Sequence, residues 1–296
     1  MAVQNQSIIV RLEKMKLAVH LHLFHVKQLP WILRYLENLN GCNYDLFVTL
    51  VEHNEQAEKT LKTFNPNTTI LIVPNRGYDL GPFIEFLHQI DLGKYNYILK
   101  VHTKAPKSNN FTVLNGYGMS NRLWNHVLWD SVLGSKEQVK KCLEAIADKS
   151  VGMVGSKFCL TEEKRTYEKL LPQINDVLVR VGLNPVEKIQ FIAGTMFYVK
   201  AALMKPLLAY TANDFTISDG KIKNYTLGHV FERVLAELVA GKGYKIVGVD
   251  GSKPILLYFQ FVLSWIFHFL WQNKYTSSGA HIIKICRITV YHRKGS

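Results

Sequence analysis

The feature that most limits the possible folds is the rhythm of the first hundred residues, where short β-like runs alternate with helical patterns. KLAVHLHLF (16–24) reads as a strand and LPWILRYLENL (29–39) as a helix opened by a proline near its first turn. YDLFVTLV (44–51) is a second strand, EQAEKTLKTF (55–64) a second helix, and TTILIVP (68–74) a third strand. After the turn-rich NRGYDLGP (75–82) and the helical IEFLHQI comes a fourth strand, YNYILKVHT (95–103). Short crossovers of this kind build a parallel sheet covered by helices, so the expected class is α/β, a Rossmann-type layered sheet with flanking helices. Hydrophobic content of 48% against 20% charged residues is that of a folded chain and excludes disorder.

The middle is less regular. LWNHVLWDSVLG (123–134) and KEQVKKCLEAIAD (136–148) read as helices, SVGMVGSKF (150–158) as a strand, and FIAGTMFYVKAAL (191–203) as a strand entering a helix. LGHVFERVLAELVAG (227–241) has the clearest helical period, with Leu227, Val230, Phe231, Val234, Leu235, Leu238 and Val239 on one stripe. YKIVGV (244–249) is the last strand. Four cysteines without ligand-like spacing read as reduced thiols, and MAVQNQSIIVRLEKMK lacks the basic start and long apolar run of a secretory leader. A cytoplasmic location is therefore expected.

The formal charge is +13, and no acidic residue follows Asp250. There the character changes: PILLYFQFVLSWIFHFLWQ (254–272) is an apolar run broken by Gln260, Ser264, His268 and Gln272, which recur every four residues as one narrow polar stripe. A boundary is expected between a domain over 1–253 and an apolar, basic tail over 254–296. The tail reads as an amphipathic helix lying on an anionic membrane surface, with packing on the domain or in a dimer as the alternatives. The chain shows no helix-turn-helix, RNP-like or zinc-finger pattern, so nucleic acid is not expected as its partner.

Two segments carry candidate chemistry. NRGYDLGPF (75–83) stands between a strand and a helix. There Gly77 and Gly81 permit close backbone approach, Asp79 can accept from a ribose or cap the helix, and Asn75 and Arg76 lie beside a diphosphate or in solvent. KVHTK (100–104) ends the fourth strand, where ligands gather in open sheets; His102, Lys104 and the nearby Lys107 offer positive charge to a departing diphosphate, or form a basic surface loop.

These segments, together with WNHVLWDSVLGS, VGMVGSKF, FIAGTMFYVKAAL and GHVFERVLAELVAGKGYKIVGV, resemble the rhamnan synthesis protein F family over roughly 16–250. The resemblance implies a GT-A-like glycosyltransferase that takes a sugar (rhamnose or another hexose) from a nucleotide-diphosphate donor, dTDP-rhamnose or a UDP-sugar. The acceptor it implies is a lipid-linked surface polysaccharide such as O-antigen, capsule or rhamnan. It places His22, Phe24 and Glu52 by the base and ribose. Gly194 and Thr195, with His229 and Arg233, are placed by the sugar or acceptor, and Glu232 as the base of an inverting transfer. Asp214 and Asp219 stand in reserve, in a segment that reads as a mobile loop. Where many GT-A enzymes hold a metal on Asp-x-Asp, this chain has His102-Thr103-Lys104, so metal-independent chemistry is expected, with His102 and Lys104 supplying the charge. The competing expectations are a non-catalytic scaffold of polysaccharide assembly and, less favoured, a basic nucleic-acid-binding protein.

Overall fold

The computed structural model describes residues 15–104, 111–162, 167–218, 226–275 and 280–294. Strands β1 (Leu17–His22), β2 (Tyr44–Leu50), β3 (Thr69–Ile72) and β4 (Tyr97–His102) run parallel. The full sheet has seven strands in the order β11-β7-β10-β4-β1-β2-β3, where β7 is Val151–Ser156, β10 Phe197–Lys200 and β11 Lys245–Val249. Only β10 runs against its neighbours. The layered α/β fold expected from the alternation is present. Strands β1 and β4 are buried along their whole length because they lie mid-sheet with helices over them, which is why they read as nearly continuous apolar runs.

The first helices follow the expected pattern. Helix α1 (Leu29–Leu36) opens with Pro30 in its first turn, and α2 (Glu55–Phe64) is capped by Asn54, whose side chain accepts from Ala57 N at 2.9 Å. Helix α3 (Leu80–Gln89) begins four residues earlier than the IEFLHQI pattern suggested, because Leu80, Gly81 and Pro82 are themselves buried turns of helix. Helices α4 (Asn121–Leu133) and α5 (Lys136–Ala147) are opened by the side chains of Ser120 and Ser135. Helix α7 (Leu227–Ala240) buries more than the single stripe, taking Arg233 and Glu237 inside as well.

Four features depart from expectation. The hairpin of β5 (Phe111–Leu114) and β6 (Tyr117–Ser120) turns on Asn115-Gly116, both with positive φ, as a two-residue turn of this kind requires. Helix α6 (Tyr167–Arg180) forms despite Pro172 inside it. FIAGTMFYVKAAL is not one strand entering a helix: β9 (Gln190–Ile192) pairs with β8 (Leu160–Glu162), the chain breaks at Gly194 and Thr195 with φ of 92° and 52°, and β10 then joins the main sheet. The residues after β10 continue as a 3-10 helix, Ala201–Ala209.

The fourth departure is the tail. Helix α8 (Pro254–Leu270) stops short of Gln272, and the chain goes on as an antiparallel meander of β12 (Trp271–Tyr275), β13 (His281–Ile285) and β14 (Ile288–Arg293). Among the described residues no helix is long and apolar enough to cross a membrane. The polar stripe of α8 does not face water. It faces the β5–β6 hairpin: the Ser120 amide donates to Ser264 Oγ at 3.3 Å, and His268 stacks on Phe111 with ring centroids 3.8 Å apart. Leu257 and Phe261 complete this covered face, Phe261 lying against Tyr117 and Phe158.

Candidate functional site

The carboxyl ends of the four parallel strands share one edge, and the candidate residues collect there. At its centre lies a side chain that the motif reading passed over. Lys100, in the middle of β4, is fully buried. Its Nζ donates to Asp79 Oδ2, to Thr195 O at 3.2 Å and to Thr195 Oγ1 at 3.1 Å. The Thr195 hydroxyl donates to the same Asp79 oxygen at 2.6 Å. A buried ammonium persists only when paired and hydrogen-bonded, and these three partners meet that condition.

Asp79 therefore does not cap α3: it makes no side-chain cap hydrogen bond, and its Oδ2 turns inward to Lys100 and Thr195. Burial alone would raise its pKa. His102 and Lys100, with the hydrogen bonds from Lys100 and Thr195, overcome that and hold the carboxyl well below its usual range. Burial conversely lowers Lys100, and Asp79 opposes the shift.

Alternation along β1 and β4 puts His20, His22 and His102 on the face that carries Lys100. All three rings are buried. Burial is the first cause lowering each; His22 falls to about 3 and His102 to about 4, with Lys100 adding to both shifts and Asp79 opposing them. Burial pushes the ring away from the cation expected of His102, while both of its nitrogens face carbonyl oxygens, Nε2 2.9 Å from Gly194 O and Nδ1 2.9 Å from Thr103 O, of which a neutral ring donates to only one. His22 is likewise occupied and buried, with Nδ1 3.1 Å from Thr49 Oγ1.

The Gly194–Thr195 turn is where the separate segments meet. Glu232, on α7, accepts from Gly194 N at 2.7 Å through Oε1 and pairs through Oε2 with Arg233 Nη1 at 2.5 Å. Arg233 lies 4.3 Å over the Phe191 ring. His229 accepts or donates at 2.9 Å with Thr226 Oγ1 and meets Tyr78 edge-on. Asp79, His102 and Glu232, drawn from three distant parts of the chain, therefore converge on one turn.

The NRGYDLG segment is laced rather than open. Gly77 N donates to Thr216 O at 3.0 Å, Tyr78 N to Ser218 Oγ at 3.0 Å, Asn75 Nδ2 to Ser218 O at 2.9 Å, and Arg76 Nη1 to Phe215 O at 2.9 Å. Gly77 has φ of 66°, and a Cβ there would sit 2.5 Å from the Phe215 ring. Gly81 likewise has no room for a Cβ beside the Arg76 carbonyl. These glycines serve close packing of 75–81 on 212–218, and the amides of Gly77 and Tyr78 are not left for a phosphate. Residues 213–218, in the segment expected to be a mobile loop, are thereby tied to 75–78.

At the open rim, Lys104 Nζ rests 4.0 Å above the Trp124 ring, and its carbonyl accepts from Gln28 Nε2 at 2.7 Å. Thr103 Oγ1 accepts from the amides of Phe24 and His25, each at 3.0 Å, tying the end of β4 to the end of β1. Phe24 is left 41% exposed. Glu52 is exposed beyond β2. Asp214 is exposed and turned away, accepting from Thr211 N at 2.8 Å as a cap of its own turn. Lys107 and Asp219 lie outside the described residues. Among the described residues no three His, Cys, Asp or Glu side chains come together as metal ligands.

The chain belongs to the rhamnan synthesis protein F family, which it matches over residues 2–244. The protein WxcX of Xanthomonas campestris pv. campestris (strain B100) is 24% identical over 185 residues, covering 61% of this chain and 25% of the relative. The chain thus aligns with about a quarter of that curated relative's length. Among solved structures, TarS residues 1–349 of S. aureus overlaps 85% of this chain and 65% of its own, at 11% identity and a TM-score of 0.42. The glucosyl-3-phosphoglycerate synthase of Mycobacterium tuberculosis, solved with Mn2+, UDP and glucosyl-3-phosphoglycerate, overlaps 98% and 93% at 8% identity and a TM-score of 0.36. Overlaps this loose say nothing of the chemistry at the strand ends.

Proposed function

We propose that the chain is a glycosyltransferase that moves a sugar, rhamnose or another hexose, from a nucleotide-diphosphate donor to a growing surface polysaccharide. Family membership supports the class, since a rhamnan is built by joining activated sugars. The single observation that carries the reading to this edge of the sheet is the convergence of Asp79, His102 and Glu232 on the Gly194–Thr195 turn. That turn lies at the strand ends, where α/β sheets bind their ligands.

In this reading the exposed Phe24 ring offers a stacking surface to the base, and Lys104 sits beside the diphosphate. Lys104 compensates charge as the bond from the anomeric carbon to the phosphate oxygen breaks and its electron pair goes to that oxygen. The acceptor hydroxyl oxygen attacks the anomeric carbon from the opposite side and passes its proton to Glu232, which inverts the centre. Gly194 and Thr195 line the sugar, and Lys100 acts only through Asp79 and Thr195, because it is sealed from solvent. A cation rather than a carboxylate pair at the end of β4 favours metal-independent transfer. The acceptor is lipid-linked, as in O-antigen or capsule assembly, and the enzyme works at the cytoplasmic face of the cell membrane.

The test is a thermal-shift screen of UDP-, dTDP-, GDP- and CMP-sugars, each with and without EDTA. A donor at about a hundred times its dissociation constant stabilises the fold by about 2.7 kcal/mol. One nucleotide class is expected to raise the melting temperature, and the rise to survive EDTA. A rise abolished by EDTA overturns metal independence; no rise with any donor overturns the donor site.

A further inference from the structure

Helix α8 is inside out. Its polar stripe is spent on the β5–β6 hairpin, and the apolar side chains point away: Ile255 is 86% exposed, Phe267 65%, and Phe259, Val262, Ile266 and Phe269 all stand in solvent. An apolar face so large on a folded chain marks a surface that something else covers.

The charge around the face says what covers it. At the start of α8, Arg34, Tyr35, Asn38, His126, Ser252 and Lys253 line a cavity of about 290 Å³. Its one carboxylate, Asp130, is committed: Oδ2 accepts from Ser252 N at 2.8 Å and Oδ1 from the Ser252 hydroxyl. Over that buried carboxylate the cavity presents two exposed cations, Arg34 and Lys253, which leaves its balance positive, with hydroxyl and amide donors around them. Lys253 and Leu256 are shared with an adjoining apolar groove formed with Pro254, Ile255 and Phe259. At the far end of the helix Arg287 stands 5.3 Å over Phe269, and every charged residue beyond Asp250 is basic.

We infer that this face docks on an anionic phospholipid bilayer, with the exposed side of α8 among the acyl chains and a lipid phosphate held between Arg34 and Lys253. A cationic cavity opening directly onto an apolar groove matches a molecule with a phosphate at one end and hydrocarbon at the other. Cations at both ends of the helix match a negatively charged plane rather than a single pocket. A second copy of the chain would bring like charges at Arg34, Lys253 and Arg287 together. The inference deepens the proposed function by specifying how a transferase reaches a lipid-linked acceptor, and it rests on that reading only for its purpose.

Full-length chain is sedimented with vesicles of phosphatidylcholine alone and of phosphatidylcholine mixed with phosphatidylglycerol. Binding is expected only with the anionic lipid. The F259E/F267E variant is expected to lose it, and R34A/K253A to bind about 25-fold more weakly, at about fivefold per cation. Brominated acyl chains are expected to quench the tryptophan fluorescence of the unaltered protein on binding, which needs no variant to fold. Equal binding to both vesicle types, undiminished binding by F259E/F267E, or full-strength binding by R34A/K253A overturns the inference. So does a dimer in lipid-free sedimentation that F259E/F267E dissociates, since a second copy would then cover the face. Donor-induced thermal shifts measured on the same variants separate the two proposals: vesicle binding can fail while donor binding stands, and the reverse.

Discussion

Lys100→Met tests whether the buried pair organises the site. The substitution keeps the length of the side chain but removes its charge, the ion pair with Asp79 and the bonds to Thr195 O and Oγ1. Asp79 is left as a largely buried carboxylate with the Thr195 hydroxyl as its hydrogen-bond partner and His102 Nε2 3.7 Å away. Breaking a buried pair from one side costs about 3–5 kcal/mol. At about 2 °C per kcal/mol for a chain of this size, the melting temperature is expected to fall by about 6–10 °C. The double variant K100M/D79N removes the stranded charge and is expected to recover much of that loss. Urea unfolding of wild type, both single variants and the double variant measures the coupling directly. A K100M variant within about 1 kcal/mol of wild type would refute the reasoning, since the expected penalty for a stranded charge is several times larger. So would a double variant whose loss equals the sum of the singles.

Three further outcomes follow from the same geometry. Burial lowers His20, His22 and His102 in the folded chain, so protons are taken up on unfolding and stability is expected to fall as pH drops below about 6.5. Each ring adds about 1.4 kcal/mol per pH unit, the loss from His102 levelling near its folded value of about 4 and that from His22 near about 3; a flat urea midpoint between pH 6.5 and 5 would contradict it. Gly77→Ala drives a Cβ into Phe215 at a positive φ and is expected to cost about 1–3 kcal/mol and to loosen 212–218, read as faster amide exchange there. Trp124→Ala removes the ring beneath Lys104, which also packs against the core, and is expected to lower the melting temperature and to weaken donor binding several-fold in the still-folded protein, checked by calorimetric titration.

Much of the fold was legible because β1 to β4 and the helices between them are local patterns, each complete within about ten residues. Asn115-Gly116 is a local hairpin signal of the same kind. Pro172 hid α6, since a proline in a helix interior argues against the helix it interrupts. Lys100 escaped notice for a different reason. Its partners lie 21 and 95 residues away, and only the sheet register and the break at Gly194 bring them together. The available signal was the oddity of a lysine inside the apolar strand YILKVH, which requires a buried counter-charge. The polar stripe of α8 left its covered side open. Periodicity shows that one face differs from the other, while only Phe111 and Ser120, 144 or more residues earlier, decide which face is covered.

The most direct test of the account is turnover: release of nucleoside diphosphate by the full chain supplied with the donor that binds and a lipid-linked acceptor, compared with the same assay on Glu232→Gln. The account predicts release that requires the acceptor, persists in EDTA, and falls by about 10²–10⁴-fold in the variant while donor binding is retained. Glu232→Gln turning over at the wild-type rate would contradict the role given to that carboxylate. No acceptor-dependent release from a donor that binds would contradict glycosyl transfer itself.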